Sequence, residues 1–312
     1  MMCQFANLQK KIILLAFLNA NMRYALLVLF LFYSAFANSQ QRDSDLKLFA
    51  YNVSFGGLTA GVGAIINKPK ETPAHKAFLN GFYQGCFGGI LQYGGKKMTH
   101  QIVKRENYWY GLPAKLVHGA GASIVENAAL NRPFGRYWNM DLGPLRLDFA
   151  FDTEDDPFRV RFNAMLIYDI IAIGTQSSSA YIDWGKSLKL GTLAFYTNEP
   201  LYGHKHGQDV VGTAYCKSFI YTSRSNDVYK TVAHEMVHLF QYREHLVFNA
   251  WINPLTSKAS PKLKNIFQNY IYIELPYITP LYHIQGYHGR ENYYRNFYEY
   301  EAEWFATNGY FK

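Results

Sequence analysis

Thr231-Val232-Ala233-His234-Glu235-Met236-Val237-His238-Leu239-Phe240-Gln241 is the stretch in which residue types and spacing speak most directly of chemistry. On an α-helix, side chains four residues apart stand one above the other on the same face. His234 and His238 therefore present two imidazole nitrogens to one point, at a reach that suits a tetrahedral Zn²⁺. Glu235 leans over that point from outside the coordination shell, where it can take a proton from an activated water. Val232, Met236, Val237 and Phe240 supply an apolar stripe that would pin such a helix to a core. The plainer reading is a helix carrying two ordinary histidines.

Two histidines leave a catalytic zinc one protein ligand short, because such sites take three and a water. The metzincin pattern would want Gly at 241 and His at 244, where this chain has Gln241 and Glu244. With no glycine to end it, the helix carries Glu244 or His245 about 9 Å up the axis, out of reach. Tyr298-Glu299-Tyr300-Glu301-Ala302-Glu303-Trp304-Phe305-Ala306 offers a better partner. Glu299 and Glu303 fall one turn apart on one helix face. The first can ligate, and the second can accept the free N–H of a ligand histidine and fix its tautomer. Glu301 lies on another face and has Phe305 one turn on, which makes Glu299 the better ligand candidate. A solvated acidic face is the bland alternative, weakened by Ala302, Trp304 and Phe305.

His-Glu-x-x-His at 234–238, followed by Glu-x-x-Ala-Glu at 299–303, resembles the gluzincin metallopeptidases, whose bacterial and CAAX-protease-type members read Glu-x-x-Ala-Asp. The resemblance implies His234, His238 and Glu299 as Zn²⁺ ligands, Glu235 as general base, and Glu303 in the place of the supporting Asp, one methylene longer. Gly212–Tyr221 is similar to the zincin edge strand that precedes the active-site helix and pairs with extended substrate. The likeness spans about residues 210–308. It implies an α+β, zincin-like module with a small sheet, an active-site helix and a C-terminal glutamate helix, acting on polypeptide or cell-envelope peptide. A donor for the oxyanion is sought among His283, His288 and the tyrosines between 270 and 300; His288, in a glycine-flanked loop, is the choice. Two other readings stay open: an envelope-associated binding or assembly protein with an inactive zincin module, and a zinc amidase acting on cell-wall peptide.

The remainder of the chain has to position these groups. With 312 residues and 49% hydrophobic content it can build a sizeable core. Its formal charge of +8 is scattered rather than striped, so no nucleic-acid footprint is read from it. Cys3, Cys86 and Cys216 are too few for a disulfide scaffold, and a Cys86–Cys216 pair is left open. Residues 1–37 read as an export signal: Met22-Arg23, an apolar run from Tyr24 to Tyr33, then Ala35-Phe36-Ala37 as cleavage site. An uncleaved anchor is the competitor, and both place the rest outside the cytoplasm, in the periplasm, at the outer membrane or secreted.

From 38 to 143 the chain is rich in glycine and aromatics, with apolar segments at Leu46–Asn67, Ala77–Gly95 and Leu112–Leu130. Glycines at 57/61 and 81/85/89 allow close helix approach. Asn80, Gln84, Gln92, Lys115, His118, Glu126 and Asn127 favour packed hairpins over lipid-exposed helices, membrane contact being the alternative. Residues 144–312 form the second unit. Alternation at Leu145–Phe151 and Phe158–Phe162 predicts strands, as do Leu188–Tyr196 and Ala214–Thr222; Met165–Ile173 is strand or short helix. Ser225 is the expected N-cap of the active-site helix, and Lys262–Tyr272 a further short helix. His204 and His206, in a loop, are a weak metal pair.

Overall fold

The computed structural model describes residues 45–151, 157–201, 210–251, 260, 265–266, 269–274, 278–285 and 296–309. The export signal at 1–37, the His204/His206 loop and His288 lie outside these residues, as does the side chain of His283. Three helices come first: α1 (Asp45–Ile66), α2 (Ala74–Lys104) and α3 (Gly111–Ala129). Then follow β1 (Tyr137–Leu142), β2 (Leu145–Ala150), β3 (Phe158–Asn163), α4 (Met165–Gln176), β4 (Tyr181–Ile182), α5 (Trp184–Leu190), β5 (Leu193–Thr197), β6 (Gly212–Ala214) and β7 (Ser218–Thr222). The chain continues through α6 (Val228–His245), α7 (Val247–Trp251), β8 (Ile271–Tyr272), α8 (Ile278–Gln285) and α9 (Phe297–Thr307). The fold is α+β.

Glycine sets the spacing of the first layer. A Cβ on Gly85 would lie 2.3 Å from the carbonyl oxygen of Gly56, and one on Gly89 2.4 Å from that of Asn52. Backbone of α1 thus rests directly on backbone of α2, an approach only glycine permits. By length and composition α1 is apolar enough to cross a membrane, yet 61% of its most apolar window is buried within the protein. The layer is not purely oily. Asn52, Gln92, Lys96, His118 and Asn127 are all buried in it, and such groups are tolerable only where they find partners.

Two four-stranded sheets stand against the helices, ordered β1-β2-β3-β8 and β4-β5-β7-β6. In the first, Leu142 pairs with Leu145 across a turn at Gly143, whose φ of 53° suits glycine. The expected boundary after 143 therefore falls inside a hairpin: β1 belongs to the same sheet as β2, and α3 packs against it. In the second sheet β5 and β7 run parallel, β6 is an edge strand antiparallel to β7, and all five residues of β7 are buried.

Several expected elements are redrawn. Leu188–Tyr196 is not one strand, because Asp183 caps α5 by accepting from Lys186 N–H and Gly191, at φ 67°, ends it. Ala214–Thr222 is a hairpin rather than a strand. Asp169 pins its turn by accepting from the N–H groups of Cys216 and Lys217 at 3.2 and 2.7 Å. Met165–Gln176 is a helix, and Ile271–Tyr272, within the expected 262–272 helix, is a strand parallel to β3. Cys86 and Cys216 are separate thiols, the second buried.

At the centre lies α6. Val232, Ala233, Met236 and Phe240 pack with Phe219 and Tyr221 of β7, Ile102 of α2 and Ala306 of α9. Burying each of the larger side chains contributes about 1.5–3 kcal/mol. Asp227, not Ser225, caps the helix, its carboxylate accepting from Lys230 N–H at 2.9 Å.

Candidate metal centre

Three side-chain atoms converge between α6 and α9. His234 Nε2 and His238 Nε2 are 3.0 Å apart, and Glu299 Oε2 lies 3.1 Å from the first and 3.3 Å from the second. A tetrahedral site with bonds of about 2.0–2.1 Å spaces neighbouring donors by about 3.3 Å, so the trio is close to the geometry that holds one ion. Helix periodicity stacks the two histidines, and docking of α9 across α6 brings in the carboxylate, 61 residues along the chain from His238. Phe305 and Ala302 fasten that docking, packing with Val237 and Leu48.

The outer ring nitrogens are also engaged. His238 Nδ1–H donates to Gln241 Oε1 at 2.8 Å. Glu303 Oε2 lies 3.4 Å from His234 Nδ1, while its other oxygen meets Lys230 Nζ at 2.6 Å. Both partners keep the proton on Nδ1 and leave the Nε2 lone pairs facing inward. Two lone pairs and a carboxylate oxygen within 3.3 Å of one another repel unless a cation stands among them. The protein alone answers with a proton. Burial opposes charge on His234, but Glu299 and Glu303 outweigh it and push the imidazole up to about 10. Burial would likewise raise Glu299, yet His238 and His234 hold it well below the usual carboxylate range. A buried His234–His238–Glu299 group of this kind could bind a metal ion, and its donor set fits a divalent one.

Glu235 is buried beside the trio, and burial raises its carboxyl above the usual value. It accepts a backbone hydrogen bond from Ala214 on the edge strand β6. Its Oε2 has no partner among the described residues. An unsatisfied buried carboxylate oxygen is costly, and this one lies beside the trio. Tyr282, on α8, donates to Glu299 Oε1 at 2.5 Å and leaves Oε2 to face the histidines.

The structure thus brings together His234, His238, Glu299, Glu235 and Glu303, while His288 is outside the described residues. Sequence reasoning missed Gln241 as the partner of His238, although an i, i+3 neighbour on the ligand helix was its signal. Tyr282 was one unmarked tyrosine among several. Glu301 turns away from the trio into a buried cluster with Lys96 and Asn52. No protein-family model matches the chain, and no curated protein or solved structure matches it.

Proposed function

We propose that the chain is a zinc-dependent hydrolase of the metallopeptidase type, cleaving peptide bonds. The observation that carries this reading is the convergence of His234 Nε2, His238 Nε2 and Glu299 Oε2 within 3.3 Å, beside a buried carboxylate with a free oxygen. Two imidazoles and one carboxylate are the ligand set of a catalytic rather than a structural zinc. Zinc held there would polarise a carbonyl and lower the pKa of a water toward neutrality. Glu235 would serve there as the base, taking a proton from the attacking water and returning it to the leaving nitrogen. Its burial favours this exchange, since burial raises the carboxyl above its usual value and makes it a better proton acceptor than a solvated glutamate. The edge strand β6 runs beside Glu235 with one side unpaired among the described strands, and an extended peptide can add there by main-chain hydrogen bonds.

Elemental analysis of the purified chain, together with Glu299→Ala and Glu235→Gln, tests the reading. About one zinc per chain is expected in the parent and in Glu235→Gln, and none in Glu299→Ala. Hydrolysis of a peptide library is expected from the parent alone. Turnover that survives Glu235→Gln would remove the base from the mechanism, and a metal-free parent would remove the mechanism.

A further inference from the structure

Behind the metal ligands lies a set of buried ionic groups that the reaction does not use. Lys96 of α2 is 0% exposed. Its ammonium group donates to Glu244 Oε2 at 2.8 Å, to both oxygens of Glu301 at 2.9 Å and to Asn52 Oδ1 at 3.0 Å. Asn52 in turn donates to Glu301 Oε1 at 3.0 Å. Glu244 accepts from His118 Nε2 at 3.2 Å. From Glu301 the connection runs to the metal centre in two steps: Gln241 Nε2 donates to Glu301 Oε2 at 2.9 Å, and Gln241 Oε1 accepts from His238 Nδ1 at 2.8 Å.

Each link in this path dictates the next. A side-chain amide presents a donor and an acceptor that can be exchanged by a flip. Here the flip is forbidden, because Gln241 Nε2 faces two acceptors, the Glu301 carboxylate and the Tyr298 carbonyl at 2.9 Å. With its NH₂ fixed there, its oxygen must face His238, and His238 must carry its proton on Nδ1. That tautomer is the one whose Nε2 can bind a metal. Glu301 can hold the amide only while it is itself held, and a buried carboxylate without a cation is expensive. Burial works against a charged lysine at 96, but Glu244 and Glu301 outweigh it and keep the group protonated.

We infer that Lys96 is a positioning residue for the metal centre, acting through Glu301 and Gln241 to fix the metal-binding tautomer of His238. The inference rests on the metal-centre reading above. It makes the glycine-spaced helices α1 and α2 part of the site: Asn52 and Lys96 come from them, 44 residues apart in sequence.

Co²⁺ and Zn²⁺ titration of the full chain tests it, with affinity and the Co²⁺ visible absorption spectrum as readouts. Lys96→Gln and Gln241→Met should each weaken the metal by about 10- to 100-fold and alter the spectrum. The double variant should bind no more weakly than the worse single one, since both cut one path. A role for Lys96 in stability alone would lower the melting temperature and leave affinity and spectrum at parental values; that result overturns the inference. If Lys96→Gln fails to fold, Gln241→Met decides, and parental affinity there overturns it equally. A parent chain that takes up no metal defeats the metal-centre reading itself, whereas a metal-binding parent with unchanged variants defeats only the relay.

Discussion

Gly212 and Glu235 fit together as bare backbone and carboxylate: a Cβ at residue 212 would lie 2.5 Å from Glu235 Oε1. The edge strand passes this close because glycine leaves the room. Ala214, two residues on, donates its N–H to the same carboxylate.

Gly212→Ala should therefore displace the proposed base without touching a metal ligand. We expect zinc content to stay at the parental level while peptide hydrolysis falls by about 10²-fold, the usual cost of misplacing a reacting group by about an ångström. Full activity in this variant would show that the carboxylate position seen here is not the working one.

Tyr282→Phe removes the short hydrogen bond to Glu299 Oε1. Partners of ligand carboxylates set ligand orientation, so metal affinity should drop about tenfold. Competition with a chelator of known strength measures this, and an unchanged affinity would assign Tyr282 a packing role only.

His245 should make the fold acid-sensitive. It is 1% exposed, its Nδ1–H donating to the Gln241 carbonyl at 2.8 Å and its Nε2 lying 3.2 Å from the Tyr298 hydroxyl. Burial holds its pKa at about 4, against the opposing pull of the Gln241 carbonyl and Glu244. Between about 6.5 and that value the unfolded chain binds a proton and the folded one does not. Stability from this group is therefore complete above about pH 6.5 and lost as pH falls toward 4, by up to about 3 kcal/mol. Denaturant midpoints at pH 7 and 4.5 should fall less for His245→Gln than for the parent; equal falls would place the acid sensitivity elsewhere.

Gly85→Ala and Gly94→Ala form a matched pair on α2. The first puts a methyl into the α1 backbone, 2.3 Å from Gly56 O, whereas the second meets only Val117 at 3.9 Å. Gly85→Ala should cost about 1–3 kcal/mol by overpacking, and Gly94→Ala should gain about 0.5–1 kcal/mol from helix propensity. Thermal melts separate them, and a like response from both would mean that the close helix approach carries little stability.

Legibility in the sequence tracked how local each cause was. The helix of His234 and His238 could be read because four-residue spacing and an apolar stripe reinforce each other, and the α+β class because strand alternation sits beside long apolar segments. The 188–196 stretch misled because Leu188/Leu190 and Leu193/Phe195 are each spaced like a strand, while Asp183 and Gly191 bound a short helix that ends inside it and breaks the register between the two pairs. Lys96 was invisible for a different reason. A lysine in an apolar helix looks like a solvent-facing interruption until Glu244 and Glu301, 148 and 205 residues away, are seen around it. Partners that distant leave no periodic trace.

The 61-residue separation of His238 and Glu299 also governs when the centre comes into being. The histidine pair forms as soon as α6 coils, a local event on the microsecond scale. The carboxylate arrives only when α9 docks, after a long loop has closed and its entropy has been lost. Until then a nascent or partly folded chain carries two histidines with no third ligand, and the inward tautomer of His238 still lacks the Glu301 end of its support. On the proposed reading metal capture would thus be a late event in folding, and a bound ion would report that α6 and α9 have found each other.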